Sequence, residues 1–295
     1  MSEYDNDVLV TADWVEDHVE EFEADDPDYR LIEIESPEPP DSDFPSRYDE
    51  GHIPGAVGLN WAEDLSDETQ RDILKKDDFE ELVGSLGIDE ESTVVFYGNG
   101  HIPNWFAVFA YWEFKYYGHE DTRVLDGGKD YWVHNDYPLT EEVPDYPAVE
   151  YTARGPFENI RSYKDDVDKA REAGLPMVDV RSPAEFTGEI LAPEGLDETA
   201  QRGGHIPGAS NVPVAENLRD DGRFKPPEEL EARYNEEGID GDETVVTYCR
   251  VGERSAIAWF ALHELLEYDD VHNYDGSWTE WGNLIRAPIE KGEGE

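Results

Sequence analysis

One short stretch holds the side chains that could do nucleophilic chemistry. Cys249 is the only cysteine among 295 residues, and it separates a β-branched and aromatic run from an apolar run with helical spacing. A thiol at such a strand–helix corner lies near backbone N–H groups and the positive end of the helix. Both favour a thiolate, and Arg250 and Arg254 add positive charge. The stretch predicts a reactive thiolate among anion-binding groups, although a lone cysteine is often only a small buried hydrophobe.

The elements around this cysteine predict the class of fold. Residues 244–248 read as a buried strand, and the apolar residues of 256–266 recur as on one face of a helix. Elsewhere strands also alternate with helices, which predicts an α/β protein with mainly parallel sheets. In such sheets, the loop at the carboxyl end of a central strand is the expected ligand site. Cys249 begins such a loop.

The second half of the chain repeats the first. Three segments recur in the same order and nearly in register: 51–56 at 204–209, 93–97 at 244–248, and 126–128 at 275–277. Three ordered matches indicate a tandem duplication.

The repeat and one proline-rich segment predict the domain boundaries. Residues 138–150 contain three prolines and several acidic residues, without periodicity, which is typical of a linker. We therefore predict a first domain over residues 1–137, a linker over 138–150 and a second domain over 151–295.

The two copies differ at the position of the thiol. When the copies are aligned on their strands, Gly98 stands opposite Cys249, and the following loop of the first copy lacks the two arginines. Only the second copy can therefore use thiol chemistry.

The charge of the chain excludes several partners. With 73 acidic and 23 basic residues, the formal net charge is −50, yet eight tryptophans and repeated apolar runs argue against disorder. Such a lysine-poor, acidic composition is typical of proteins from salt-accumulating halophiles, where salt screens the repulsion. The chain offers no basic stripe for nucleic acid. It also lacks a signal-peptide core and a run long enough for a membrane span, so we expect a cytoplasmic protein.

The single cysteine also limits structural bonds and cofactors. It excludes an internal disulfide, and a zinc site would have to rely on histidines and carboxylates. No glycine-rich phosphate-binding loop occurs. We predict no metal and no cofactor.

Three motifs together resemble the two-domain rhodaneses, the thiosulfate and mercaptopyruvate sulfurtransferases. They are the repeated His-Ile-Pro-Gly-Ala turn at 52–56 and 205–209, the segment Val271-His272-Asn273-Tyr274-Asp275-Gly276-Ser277-Trp278-Thr279-Glu280-Trp281, and the Cys249 loop. The resemblance spans nearly the whole chain and implies two tandem rhodanese-like domains. In that family the first copy is catalytically silent, in line with the contrast between Gly98 and Cys249.

The resemblance implies sulfur transfer by double displacement. Cys249 would attack the outer sulfur of thiosulfate, release sulfite and become a persulfide, from which cyanide, a thiol or a protein acceptor takes the sulfur. The binding residues that we expect around the sulfur are Arg250, Val251, Gly252, Glu253, Arg254 and Ser255. Their N–H groups can surround the terminal sulfur, while the two arginines can hold a dianionic donor.

The loop also bears on the choice of donor. In the family, Cys-Arg-x-Gly is typical of thiosulfate enzymes and Cys-Gly-Ser-Gly of mercaptopyruvate enzymes, so Arg250 favours thiosulfate. Glu185 occupies the segment where family members carry a donor-binding arginine. A carboxylate there cannot bind an anionic donor, so the donor contacts would come from the loop. Mercaptopyruvate remains the alternative donor.

Several other interpretations stay open. The loop could belong to a phosphatase or arsenate reductase, but those loops generally place five residues between cysteine and arginine, and here there are four. A non-enzymatic sulfur carrier or regulatory module is the other alternative.

Arg254 could contact the donor or pair with a carboxylate, and we expect Arg181 to pair with Glu185. We expect structural hydrogen bonds from His52 and His205, and core packing of Trp278 and Trp281.

Overall fold

The computed structural model describes residues 4, 7–25, 27–35, 48–100, 102–193 and 200–293. The chain divides into two compact units. The first unit comprises Met1–Phe157 with Asp220–Phe224, and the second comprises Glu158–Arg219 with Lys225–Glu295. The linker that we place at residues 138–150 stays a prediction. Within the described ranges, no helix is long and apolar enough to cross a membrane.

Each unit is built around one parallel sheet. The strands are β1 (Leu9–Val10), β2 (Tyr29–Glu35), β3 (Ala56–Asn60), β4 (Thr93–Gly98), β5 (Thr122–Leu125), β6 (Met177–Asp179), β7 (Ser210–Asn211), β8 (Val245–Tyr248) and β9 (Val271–Tyr274). In the first unit they follow the order β1-β5-β4-β2-β3, and in the second β7-β6-β8-β9. All pairings between these strands are parallel. The strand order and direction confirm the predicted pair of α/β domains.

Helices connect the strands. They are α1 (Ala12–Asp17), α2 (Val19–Phe22), α3 (Trp61–Asp64), α4 (Lys76–Ser85), α5 (Trp105–Tyr117), α6 (Gly128–His134), α7 (Lys164–Ala173), α8 (Pro183–Thr187), α9 (Pro227–Asn235), α10 (Ser255–Phe260) and α11 (Ser277–Trp281). The helix expected over 256–266 consists of an α-helical part and a π-helical turn. Its first part is α10, and the turn Ala261–Leu265 that follows is a π-helix.

Apolar packing fixes the strand that leads to the thiol. In the second unit, β8 lies between β6 and β9, and Tyr248 pairs with Asp179 on one side and Tyr274 on the other. Tyr248 and Tyr274 share a buried cluster with Trp278 and Trp281, as expected for core tryptophans. A strand buried on both faces gives the following residue, Cys249, a rigid starting point.

Candidate active site

The Cys249 thiol lies inside the loop that follows β8. Its residue is fully buried and forms no disulfide. The Gly252 N–H donates to the sulfur at 3.0 Å, and a carboxylate oxygen of Glu253 lies 3.9 Å from it. The loop therefore folds back over its own first residue, which brings a backbone donor and a carboxylate to the sulfur.

A glycine makes this return possible. Gly252 has φ +112°, a backbone conformation that side chains rarely adopt. A Cβ at this position would lie 2.3 Å from Cα and 2.5 Å from the carbonyl oxygen of Asp275. The loop thus packs directly against the backbone that follows β9.

The first turn of α11 holds the start of the loop. The Cys249 N–H donates to the Ser277 hydroxyl at 3.0 Å, and the Trp278 N–H donates to the Cys249 carbonyl at 3.1 Å. The Ser277 hydroxyl in turn donates to the Tyr274 carbonyl at 2.7 Å. The backbone of the cysteine is therefore fixed on both sides by the same short helix.

Ion pairs arrange the charged groups around the loop. Arg254 lies 3.4 Å from the buried carboxylate of Glu185. Burial alone raises the pKa of Glu185, but Arg254, Ser182 and Arg181 lower it by more, so its net pKa is below the usual value. Burial lowers the pKa of Arg254, whereas Cys249, Glu185 and Glu253 raise it by more. Arg254 thus stays a cation and pairs with a carboxylate, one of its two expected roles.

The predicted pair of Arg181 with Glu185 is wrong. Arg181 instead pairs with Asp179, with 2.5 Å between guanidinium and carboxylate, and its guanidinium lies 4.5 Å from the ring centre of Trp278. Burial lowers the pKa of Arg181, but Asp179 raises it by more. Asp179 is only two residues away at the end of β6, whereas Glu185 is drawn into the capping box of α8 with Ser182.

The structure brings the predicted site residues together, with different roles. Cys249, Gly252 and Glu253 meet at the sulfur, and Arg254 faces Glu185. The Ser255 hydroxyl lies 2.8 Å from the Gly252 carbonyl, so it contacts the loop backbone and not the sulfur. Arg250 and Val251 are buried in the same loop.

The sequence interpretation missed residues on the neighbouring elements. Asn273, Ser277 and Thr279 all hydrogen-bond to the loop backbone. One signal was present, because the duplicated segment places Ser277 opposite Gly128 of the first copy. A polar residue that replaces glycine in the copy that carries the thiol marks a contact specific to that copy.

The two histidines of the repeated turns have structural roles, as expected. His52 stacks on Tyr48 at 3.9 Å between ring centres and hydrogen-bonds to the carbonyl oxygens of Tyr48 and Glu142. His205 stacks on Phe186 at 3.6 Å and hydrogen-bonds to the Phe186 carbonyl at 2.9 Å.

The first copy has no room for a second thiol. Gly98 still belongs to β4, where it pairs with Ile34. A Cβ on Gly98 would lie 2.7 Å from the Ile34 carbonyl oxygen. The Gly98 N–H donates to the Asn104 side chain at 3.1 Å, so an amide from the loop replaces the hydroxyl that Cys249 uses. The first copy therefore lacks both a thiol at this position and the space for one.

Metal ligands do not gather in the part of the chain that the structure describes. There, no group of three or more histidine, cysteine, aspartate or glutamate side chains is placed to hold a metal ion. What the site provides is a thiol, backbone N–H groups and paired charges.

The same two copies are recognised by sequence comparison. The profile of the rhodanese-like domain matches residues 11–135 and 163–284. A protein of Haloferax volcanii named "Putative thiosulfate sulfurtransferase" is 62% identical over 291 residues, covering 99% of each chain. The "Sulfur carrier protein TtuD" of Thermus thermophilus is 47% identical over 292 residues, covering 97% of this chain and 98% of its own.

Solved structures share the architecture. The anaerobic ergothioneine biosynthesis enzyme from Chlorobium limicola, in complex with trimethyl histidine, superposes with a TM-score of 0.83 at 25% identity. The match covers 97% of this chain and 70% of that enzyme.

Proposed function

This chain belongs to the rhodanese-like family, in two tandem copies, and from that premise we propose that it transfers sulfane sulfur from thiosulfate through a persulfide on Cys249. The observation that carries the proposal is the Gly252 N–H, 3.0 Å from the only thiol of the chain. A backbone donor at this distance stabilises the negative charge of a thiolate on the Cys249 sulfur.

The proposed reaction has two displacement steps. The Cys249 thiolate attacks the outer sulfur of thiosulfate, the S–S bond of the donor breaks, and sulfite leaves with the bonding electron pair. A thiophilic acceptor, such as cyanide or a thiolate, then attacks the outer sulfur of the persulfide. The Cys249 thiolate leaves with the electrons of that S–S bond, which restores the enzyme.

The charges near the loop are mixed, because the Glu253 carboxylate lies 3.9 Å from the sulfur while Arg254 pairs with Glu185. Glu185 is neutralised by Arg254, so the carboxylate at this position does not act as an isolated negative charge on the loop. Arg250 directly follows the nucleophile and adds a second cation to the loop. Because Arg254 pairs with Glu185, this carboxylate repels an anionic donor less than the sequence alone indicated.

A sulfur carrier is the second candidate function. It is favoured by the Thermus thermophilus relative, whose name describes a carrier. A carrier would form the same persulfide but would pass the sulfur to a protein acceptor and not to a small molecule. Multiple turnovers with cyanide distinguish the enzyme from a carrier that is loaded once.

The donor preference is tested by replacing Arg250. We expect thiosulfate to give a higher kcat/KM than mercaptopyruvate. Arg250→Gly should lower kcat/KM for thiosulfate through a loss of about 1–3 kcal/mol of transition-state stabilisation, the range for a charge-assisted hydrogen bond. Steady-state kinetics with both donors measures the effect. Arg250→Lys is the matched control, since it keeps the charge and should retain more activity than glycine. A wild-type preference for mercaptopyruvate would show that the donor is misassigned.

A further inference from the structure

The carbonyl of Arg250 receives two hydrogen bonds from a single residue. Thr279 on α11 donates its backbone N–H at 2.8 Å and its hydroxyl at 2.7 Å. A carbonyl oxygen has two lone pairs, and Thr279 supplies a donor for each of them. The partner carbonyl belongs to the residue directly after the nucleophile.

Two other carbonyls of the loop accept hydrogen bonds from nearby residues of the same segment. The Cys249 carbonyl accepts from the Trp278 N–H at 3.1 Å, and the Gly252 carbonyl accepts from the Asn273 side chain at 3.0 Å. These donors all lie in the segment from the end of β9 to α11, which we call the carbonyl-holding segment (residues 273–279). A buried ion pair between Arg161 and Asp275, at 2.8 Å, braces this segment.

Because the peptide bond is planar, a hydrogen bond that fixes a carbonyl also fixes the direction of the N–H in the same peptide. In a trans peptide, the carbonyl oxygen and the next N–H point in opposite directions. With the carbonyls of Cys249, Arg250 and Gly252 turned to the carbonyl-holding segment, the following N–H groups point away from it. These are the N–H groups of Arg250, Val251 and Glu253. The N–H of Gly252, which lies between Val251 and Glu253 in the loop, contacts the sulfur directly.

From these contacts we propose that Thr279 is a positioning residue for the backbone of the Cys249 loop. It acts through the Arg250 carbonyl, in the peptide next to the one that carries the Gly252 N–H to the sulfur. Its hydroxyl fixes the plane of the Arg250–Val251 peptide and polarises it, which makes the Val251 N–H a stronger donor. Thr279 does not touch the sulfur itself. The proposal deepens the function proposed above, because it takes Cys249 as the nucleophile.

The test removes the hydroxyl and keeps the shape of the side chain. Thr279→Val leaves the backbone N–H in place, so one of the two hydrogen bonds is lost. We expect the thiolate-to-thiol ratio of Cys249 at neutral pH to fall about threefold, and kcat for thiosulfate about threefold to tenfold, from the loss of one neutral hydrogen bond. KM should change little. Thr279→Ser, which restores the hydroxyl, should recover both values.

The readouts separate positioning from stability. The ultraviolet absorbance of the thiolate is followed against pH, with the titration of Cys249→Ser subtracted as the blank. Thr122→Val is the matched control in the first unit, since it removes a buried threonine hydroxyl that has no hydrogen-bond partner among the residues that the structure describes. It should leave the titration and kcat unchanged. Circular dichroism checks the fold, and Thr279→Ala replaces Thr279→Val if the valine variant does not fold.

The outcomes also separate this proposal from the proposed function. The titration requires no sulfur donor, so it reports on Thr279 even if thiosulfate is not the substrate. A folded Thr279→Val protein with the wild-type titration and kcat overturns the positioning role. So does a loss that Thr279→Ser fails to restore. A wild-type protein that forms no persulfide while Thr279→Val still shifts the titration overturns the proposed function alone.

Discussion

Replacing Cys249 by serine is expected to abolish sulfur transfer from thiosulfate to cyanide while leaving the fold intact. A serine hydroxyl has no comparable deprotonated form at neutral pH, so the nucleophile is lost although the side chain is almost the same size. The backbone contacts of residue 249 with Ser277 and Trp278 do not involve the sulfur and should persist. The measurement is the rate of thiocyanate formation, with circular dichroism as the check on folding.

The first copy cannot rescue this variant. The chain has no second cysteine, and Gly98 lies too close to the Ile34 carbonyl for a side chain. Residual turnover in Cys249→Ser would therefore have to come from a different mechanism. Substantial thiocyanate formation by this variant would show that Cys249 is not the nucleophile.

Substitution of Gly252 by alanine is expected to lower activity by about a hundredfold or more, the scale on which a misplacement of about 1 Å acts in an active site. The new Cβ would lie 2.3 Å from the Asp275 Cα, and the obstacle is backbone, which cannot rotate away. The loop must therefore move, and the Gly252 N–H moves away from the sulfur with it. The measurement is kcat/KM for thiosulfate.

Gly238→Ala is the matched control for this substitution. Gly238 also has a positive φ, +74°, but a Cβ there would have no neighbour within 4 Å. Both variants place an alanine at a positive φ, which costs on the order of 1 kcal/mol in the left-handed region near Gly238 and more at the φ of +112° of Gly252. Only Gly252→Ala should lose activity. Equal activity losses in the two variants would show that the loop geometry at Gly252 is not what matters.

The sequence was sufficient for the fold and for the position of the thiol because both depend on local patterns. The duplicated turns and strands predicted two α/β units, and the strand before Cys249 placed the thiol at the carboxyl end of a central strand. The contrast with Gly98 also follows directly from the aligned copies. Each of these features is expressed within a few consecutive residues.

The supporting contacts depend on which segments meet in space, and local patterns do not contain that information. Thr279 reaches Arg250 from 29 residues away in sequence. Glu185 comes within 3.4 Å of Arg254 from 69 residues away, and the sequence did not identify it as the carboxylate that pairs with Arg254. Arg181 pairs with Asp179, which is two residues away, because β6 ends at Asp179 and the two side chains lie together there.

The most direct test of the central claim is the mass of the protein after incubation with thiosulfate and removal of the excess. We predict one added sulfur atom per chain, located by peptide mapping on Cys249, and its loss when cyanide is added. Cys249→Ser treated in the same way should gain no sulfur. An unmodified wild-type Cys249, or a sulfur atom bound elsewhere in the chain, would contradict transfer through a Cys249 persulfide.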